Sequence, residues 1–319
     1  MDLVTLADVE AAAARVATTC LRTPVLPLAG EGPEGSSLWL KAESLQPTGA
    51  FKLRGATNAL AQLDPAKRAA GVVTHSSGNH AQAIAFAAAA AGVPATVVMP
   101  EGSPQVKVDG TRRWGAEVVL VPVTERASRC AEIAARTGAE VVPPYDDARI
   151  IAGQGTVGLE IVAQVPDVDV VLVPVSGGGL LSGVAVAVKA LRPECMVIGV
   201  EPALAGDLAE GFAAGERRVW STDQTTRTIA DGLRTPSVGE LNWEHVHRYV
   251  DDVVTVSEET ILSAMREIVT RARIVVEPSG AVAAAAYVEH GDTLPRGTTV
   301  AIASGGNVDP ELLASVLNG

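Results

Sequence analysis

The sequence predicts an α/β protein, on three observations. Six short β-branched runs recur along its 319 residues, Ala-rich stretches of helical length lie between them, and three of the runs pass straight into glycine- or serine-rich loops. The runs fall at 72–74, 95–99, 117–121, 170–173, 197–200 and 299–303, the order expected of βαβ units wound around parallel sheets. Composition agrees: the chain is 47% hydrophobic but only 3% aromatic, so its core is built from Ala, Val, Leu and Ile, the make-up of strands buried on both faces. No internal repeat or low-complexity linker divides the chain. The domain boundary is expected at Pro143-Pro144-Tyr145-Asp146-Asp147, because a proline pair stops helix and strand alike.

Charge narrows the function. A net charge of -12 and a pI near 4.9 repel phosphate backbones and anionic lipid, so neither nucleic acid nor membrane is the expected partner. Cys20, Cys130 and Cys195 are odd in number and far apart, a spacing that suits neither a disulfide framework nor a zinc site. Mean hydropathy is positive at +0.25, yet the apolar runs are broken well before the ~20 residues a membrane span needs. The first residues lack a basic segment followed by a long apolar one, and a cytoplasmic location is expected.

The loops carry the chemistry. In SLQPTGAFKLRGA (44–56), Pro47, Thr48 and Gly49 form a turn and Phe51-Lys52 open a helix. A helix start favours anions, so dipole electrostatics do not account for a lysine there. HSSGNHAQA (75–83) sets hydroxyls, an amide and free N–H groups at a helix start, a nest for a carboxylate or phosphate that also reads as an ordinary cap. His75 and His80 have no spaced partners for a metal. VPVSGGGLLSGVA (173–185) places Gly177, Gly178 and Gly179 between strand and helix, where backbone amides can approach a phosphate unobstructed. It also resembles a dinucleotide fingerprint, with Gly183 one place late and Glu201 where a ribose-binding acid belongs, which keeps a nicotinamide-dependent oxidoreductase as an alternative. ASGGNVD (303–309) offers Ser304 to a heterocycle nitrogen. Together, a lysine, a phosphate cradle, a serine and a polar nest supply what a pyridoxal cofactor requires.

These motifs, with IIAGQGTVGLEI, TIADGL and VEPSGAVAAAA in the same order, resemble the fold-type II pyridoxal phosphate enzymes over almost the whole chain, specifically the threonine/serine dehydratase and serine racemase group. The resemblance implies a tryptophan synthase β-like fold of two three-layer α/β/α domains with the cofactor in the cleft between them. Residues 1–52 and 147–319 would form the large cofactor domain, and 53–146 a small domain that closes over substrate. It further implies that Lys52 binds pyridoxal 5'-phosphate covalently, that Phe51 packs near its ring and that Asn79 bonds its 3'-hydroxyl. Gly177, Gly178, Gly179 and Leu180 would hold the phosphate, Ser304 would face the ring nitrogen, and Glu277 would lie near the cofactor. Ser176 stands where many relatives have a fourth glycine; its hydroxyl can add a contact, and glycine-only backbone geometry is lost. Ser76, Ser77, Gly78, Asn79 and His80 would receive the substrate.

The activity implied is dehydration and deamination of a hydroxy-amino acid, L-threonine or L-serine. Lys52 would take the α-proton, which requires a depressed pKa. A neutral hydroxyl at Ser304 limits carbanion delocalisation and so suits β-elimination. Serine racemisation, with Ser77 as the second catalytic acid/base, and 3-hydroxyaspartate dehydration are the alternatives within the group. Glu201, Ala205 and Asp207 match the group's divalent-cation site, whose oxygen donors suit magnesium or calcium. Pro47 replaces the basic residue of nucleotide-regulated racemases, which argues against activation by ATP. Tyr145 stands where relatives often carry Phe or Asn. A homodimer is the expected assembly.

Overall fold

The computed structural model describes residues 2–28, 35–76, 78–103 and 105–318. Its described strands are β1 (Val25–Pro27), β2 (Ser37–Lys41), β3 (Val72–His75), β4 (Ala95–Pro100), β5 (Glu117–Val121), β6 (Glu140–Val141), β7 (Val168–Pro174), β8 (Met196–Pro202), β9 (Asp252–Val256) and β10 (Thr298–Ile302). They make two sheets, one of six strands in the order β1-β2-β10-β7-β8-β9 and one of four in the order β5-β4-β3-β6. Only β1 is antiparallel to its neighbour; every other pair is parallel. All six β-branched runs are strands. β1, β2, β6 and β9 were not anticipated: β1 and β6 are only three and two residues long, and β2 contains a lysine that tertiary contacts bury.

Alternation along the large sheet separates two layers. Val170 and Leu172 of β7 and Ile198 and Val200 of β8 pack with the alanines of the helix Pro278–His290. Val171, Val173 and Val197 point the other way, against Leu181, Val184 and Val188 of the helix Gly179–Leu191. Alanine suffices on the first face because both surfaces are close, and each fully buried Val, Leu or Ile still contributes about 2 kcal/mol. The small sheet is sandwiched in the same way. Val97 and Met99 meet Ala81 and Ala85 of the helix Asn79–Ala91, while Val73, Val98 and Val121 meet Cys130 and Ile133 of the helix Arg126–Thr137.

The helix Ala148–Gln164 follows the Pro143-Pro144 stop, its start capped by the Asp147 side chain on Arg149 N–H. It crosses the helix Gly179–Leu191 so closely that a Cβ on Gly183 would lie 2.2 Å from Ile151 O. Helix contact therefore explains the late glycine that disturbed the dinucleotide pattern. Among the described residues, no helix is long and apolar enough to cross a membrane.

Candidate active site

The carboxyl ends of the strands deliver the loops to one cavity of about 720 Å³, the size range of small-molecule sites. Phe51, Lys52, Ser76, Gly78, Asn79, His80, Gly177, Gly178, Gly179, Leu180, Glu277 and Ser304 all line it. Ser77 lies outside the described residues. Glu201, Ala205 and Asp207 are not on this wall.

Lys52 begins the helix Lys52–Ala61. The preceding turn is pinned to the last strand's loop: Phe51 N–H donates to Ser304 O (3.0 Å) and Gly306 N–H to Gly49 O (2.8 Å). Two residues on, Arg54 is fully buried and bonded to Glu43 and Glu160, and Lys41 shares Glu160. Breaking such a buried pair from one side costs about 3–5 kcal/mol, so this cluster holds the helix that presents Lys52. The Lys52 ammonium donates to Pro144 O at 2.8 Å and sits 5.0 Å from the Phe51 ring centroid. With no carboxylate among the described residues paired to it, burial lowers its pKa from 10.5 to about 8.

Asn79 begins the helix Asn79–Ala91, and both ends of its amide are committed. Its Nδ2 donates to Glu277 Oε1 (2.6 Å), and its Oδ1 accepts from Asn307 Nδ2 (2.7 Å). Asn307 also donates to Thr48 O at 2.9 Å, joining this chain to the lysine turn. Burial, and secondarily Asp231, push the Glu277 carboxyl up to about 7. The Ser76 hydroxyl accepts from Gly78 N–H within its own loop. The His80 ring meets Val142 O at 3.2 Å and is held at about 3 by burial, so its neutral form prevails at ordinary pH.

On the opposite wall, Gly178 adopts φ +90 and caps the helix Gly179–Leu191, leaving the N–H groups of its first turn toward the cavity. A Cβ on Gly177 would fall 2.2–2.5 Å from the Tyr145 ring; glycine is required for the aromatic ring to lie against the loop. The Ser176 hydroxyl donates to Thr235 Oγ1 at 2.6 Å and accepts from Thr235 N–H at 3.3 Å, so the contact it adds is to the chain itself. Ser304 Oγ is buried, 3.4 Å from Ser279 O.

The arrangement suits an anionic, planar, carbonyl-bearing ligand: a low-pKa amine, a backbone anion cradle and a neutral hydroxyl face one space. A family model described as pyridoxal-phosphate dependent enzyme matches residues 16–305. The chain belongs to the pyridoxal-phosphate dependent enzyme family. It is 45% identical to a serine racemase of Arabidopsis thaliana over 272 residues, 84% of this chain and 81% of that protein. It is 44% identical to an L-threonine ammonia-lyase of Thermotoga maritima over 291 residues, 89% of this chain and 70% of that protein. The solved structure of maize serine racemase superposes with a TM-score of 0.92 at 38% identity, covering 99% and 98% of the two chains. As a pyridoxal-phosphate dependent enzyme of fold type II, the chain has no use for the nicotinamide reading. Glu201 is in keeping with that: its carboxylate accepts from Leu208 and Ala209 N–H and is buried rather than offered to a ribose.

Asn307, Thr235, Ser279 and Asp231, all at or beside the cavity, were not singled out from the sequence. Asn307, Asp231 and Ser279 lie inside the motifs SGGN, TIADGL and VEPSGAVAAAA, which is the signal the sequence offers for them.

Proposed function

We propose that this enzyme dehydrates and deaminates a small β-hydroxy amino acid, converting L-threonine to 2-oxobutyrate and ammonia or L-serine to pyruvate and ammonia. The observation that carries the proposal is Lys52, an amine whose burial brings its pKa down to about 8 opposite a glycine anion cradle. Pyridoxal 5'-phosphate fits this wall, where Gly177, Gly178 and Gly179 open a helix start onto the same cavity that Lys52 lines, and it would supply an electron sink at the amino acid's α-carbon. The amides of Gly177, Gly178, Gly179 and Leu180 would hold its phosphate, with Asn79 and Ser304 bonding its ring substituents and Phe51 packing beside it.

At neutral pH a lysine titrating near 8 keeps a usable neutral fraction, and its Nζ accepts the α-proton. Glu277 and Asn307 orient the Asn79 amide. Ser304 offers a hydroxyl and no charge, which favours expulsion of the β-hydroxyl over prolonged storage of negative charge. The substrate carboxylate is received by the loop of Ser76, Ser77, Gly78, Asn79 and His80.

Serine racemisation is the second reading, favoured by the Arabidopsis and maize relatives, with Ser77 returning a proton to the opposite face of the α-carbon. The test is the product spectrum of cofactor-loaded protein given L-threonine, L-serine, D-serine and the threo-3-hydroxyaspartates. Rapid 2-oxobutyrate or pyruvate supports the proposal. D-Serine formed from L-serine faster than pyruvate replaces it with racemisation, and turnover of 3-hydroxyaspartate alone moves it to a dicarboxylic substrate.

Glu201, Ala205 and Asp207 are proposed to hold magnesium or calcium. Both carboxylates are buried, and Asp207 Oδ2 has no hydrogen-bond partner among the described residues. Burial and mutual repulsion raise the Glu201 pKa, and burial brings Asp207 to about 7; a hard cation relieves both costs. The assembly is proposed to be a homodimer.

A further inference from the structure

The cavity is bridged a second time, at its mouth. Lys107, on the helix Gln105–Arg113 of the small-sheet layer, donates to Asp231 Oδ2 at 2.7 Å from the opposite side, and both residues line the cavity. Each end of the pair is anchored to a wall of the site, one facing the cofactor and the other the substrate. Asp231 opens the short turn Asp231–Leu233, and the next residue, Gly232, donates its N–H to Ser279 Oγ at 2.9 Å. Ser279 O is in turn the neighbour of the Ser304 hydroxyl, so the turn is fixed to the back wall. On the other side, Val108 is buried in one cluster with Ala81 and Ala85 of the helix Asn79–Ala91. A pull on Lys107 therefore passes through that packing to Asn79 at the start of its helix. The pair is partly exposed, with side chains 27% and 42% accessible, so it is a weak tie that can open and close.

We propose that Lys107 and Asp231 are a positioning pair: their ion pair clamps the helix Gln105–Arg113 across the cavity mouth and so sets Asn79 and the start of its helix over the bound amino acid. This rests on the reading of the cavity as an amino-acid site. A merely solvated ion pair would leave that helix start indifferent to its sign. A true clamp depends on opposite charges but not on which side carries which.

The experiment uses holoenzyme as wild type, Lys107→Glu, Asp231→Lys and the double swap, each checked by the visible absorption of the lysine-bound cofactor. KM and kcat are measured with whichever amino acid the wild type converts. Amide hydrogen exchange of residues 79–91 and 105–113 is followed with no amino acid added. Each single reversal is expected to raise KM roughly two- to five-fold, the scale of a partly exposed pair, with a smaller change in kcat and faster exchange in both segments. The swap is expected to recover at least half of each change. Unchanged KM and exchange in both single variants overturns the proposal, as does a swap no better than the worse single. If no hydroxy amino acid is converted, the function proposed above fails, whereas the exchange measurements still decide the clamp. Should Asp231→Lys lose the cofactor, Lys107→Met, Asp231→Asn and their double are judged by coupling: effects that add without interaction overturn the clamp.

Discussion

The buried amine of Lys52 has a consequence for stability that is separable from catalysis. Its pKa falls from 10.5 to about 8 through burial alone, so in the cofactor-free fold the ammonium is the disfavoured form. Below about pH 8 the folded protein carries that charge at a cost; as pH rises from about 8 toward 10.5 the folded amine is neutral while the unfolded one still binds its proton, and folding gains stability. A shift of this size corresponds to about 3 kcal/mol, which residual contact with cavity water trims to about 2 kcal/mol. Replacing Lys52→Met keeps the stem and removes the charge. Urea unfolding of cofactor-free wild type and variant, from pH 7 to 10.5, should show the variant's advantage at pH 7 shrinking by about 2 kcal/mol across that range. Taking the difference cancels the other titrating groups. A difference that stays flat with pH would refute the claim that Lys52 is desolvated, and with it the account of how its proton affinity is set.

The opposite sign applies to Glu277, raised to about 7 from 4.5: its cost is absent in acid and complete above about pH 7, so Glu277→Gln should stabilise the cofactor-free protein by about 3 kcal/mol at pH 8 and by almost nothing at pH 4.5. Urea midpoints at the two pH values check this, and equal effects at both would count against it. Calcium or magnesium should raise the melting temperature of wild-type holoenzyme after chelator treatment, and Asp207→Asn should abolish the increment; identical melting curves with cation and with chelator would remove the proposed site.

Local chemistry made much of the fold legible. The six β-branched runs became strands because a run such as Val170-Val171-Leu172-Val173 favours extended backbone and is apolar on both faces, whatever surrounds it. The glycine loop at 177–179 was readable because a strand, a glycine cluster and a helix adjoin in the chain itself. Lys41 was not: a lysine argues against a buried strand until Glu160, far along the chain, supplies its partner. Thr235 is illegible for a similar reason, since nothing near it in the sequence names Ser176 as its partner.

By its sequence alone this chain determined an α/β architecture, the family of its cofactor and the loops that bear on it, because those depend on residues close together along the backbone. Only the tertiary structure decided how those groups are held: Asn79 between Glu277 and Asn307, Lys52 against Pro144 O, Tyr145 over Gly177, and Lys107 against Asp231. Each joins residues separated by tens to hundreds of positions. Their meeting, and the desolvation that shifts Lys52 and Glu277 in opposite electrostatic directions, arises from the crossing of parallel strands and helices that no local pattern encodes.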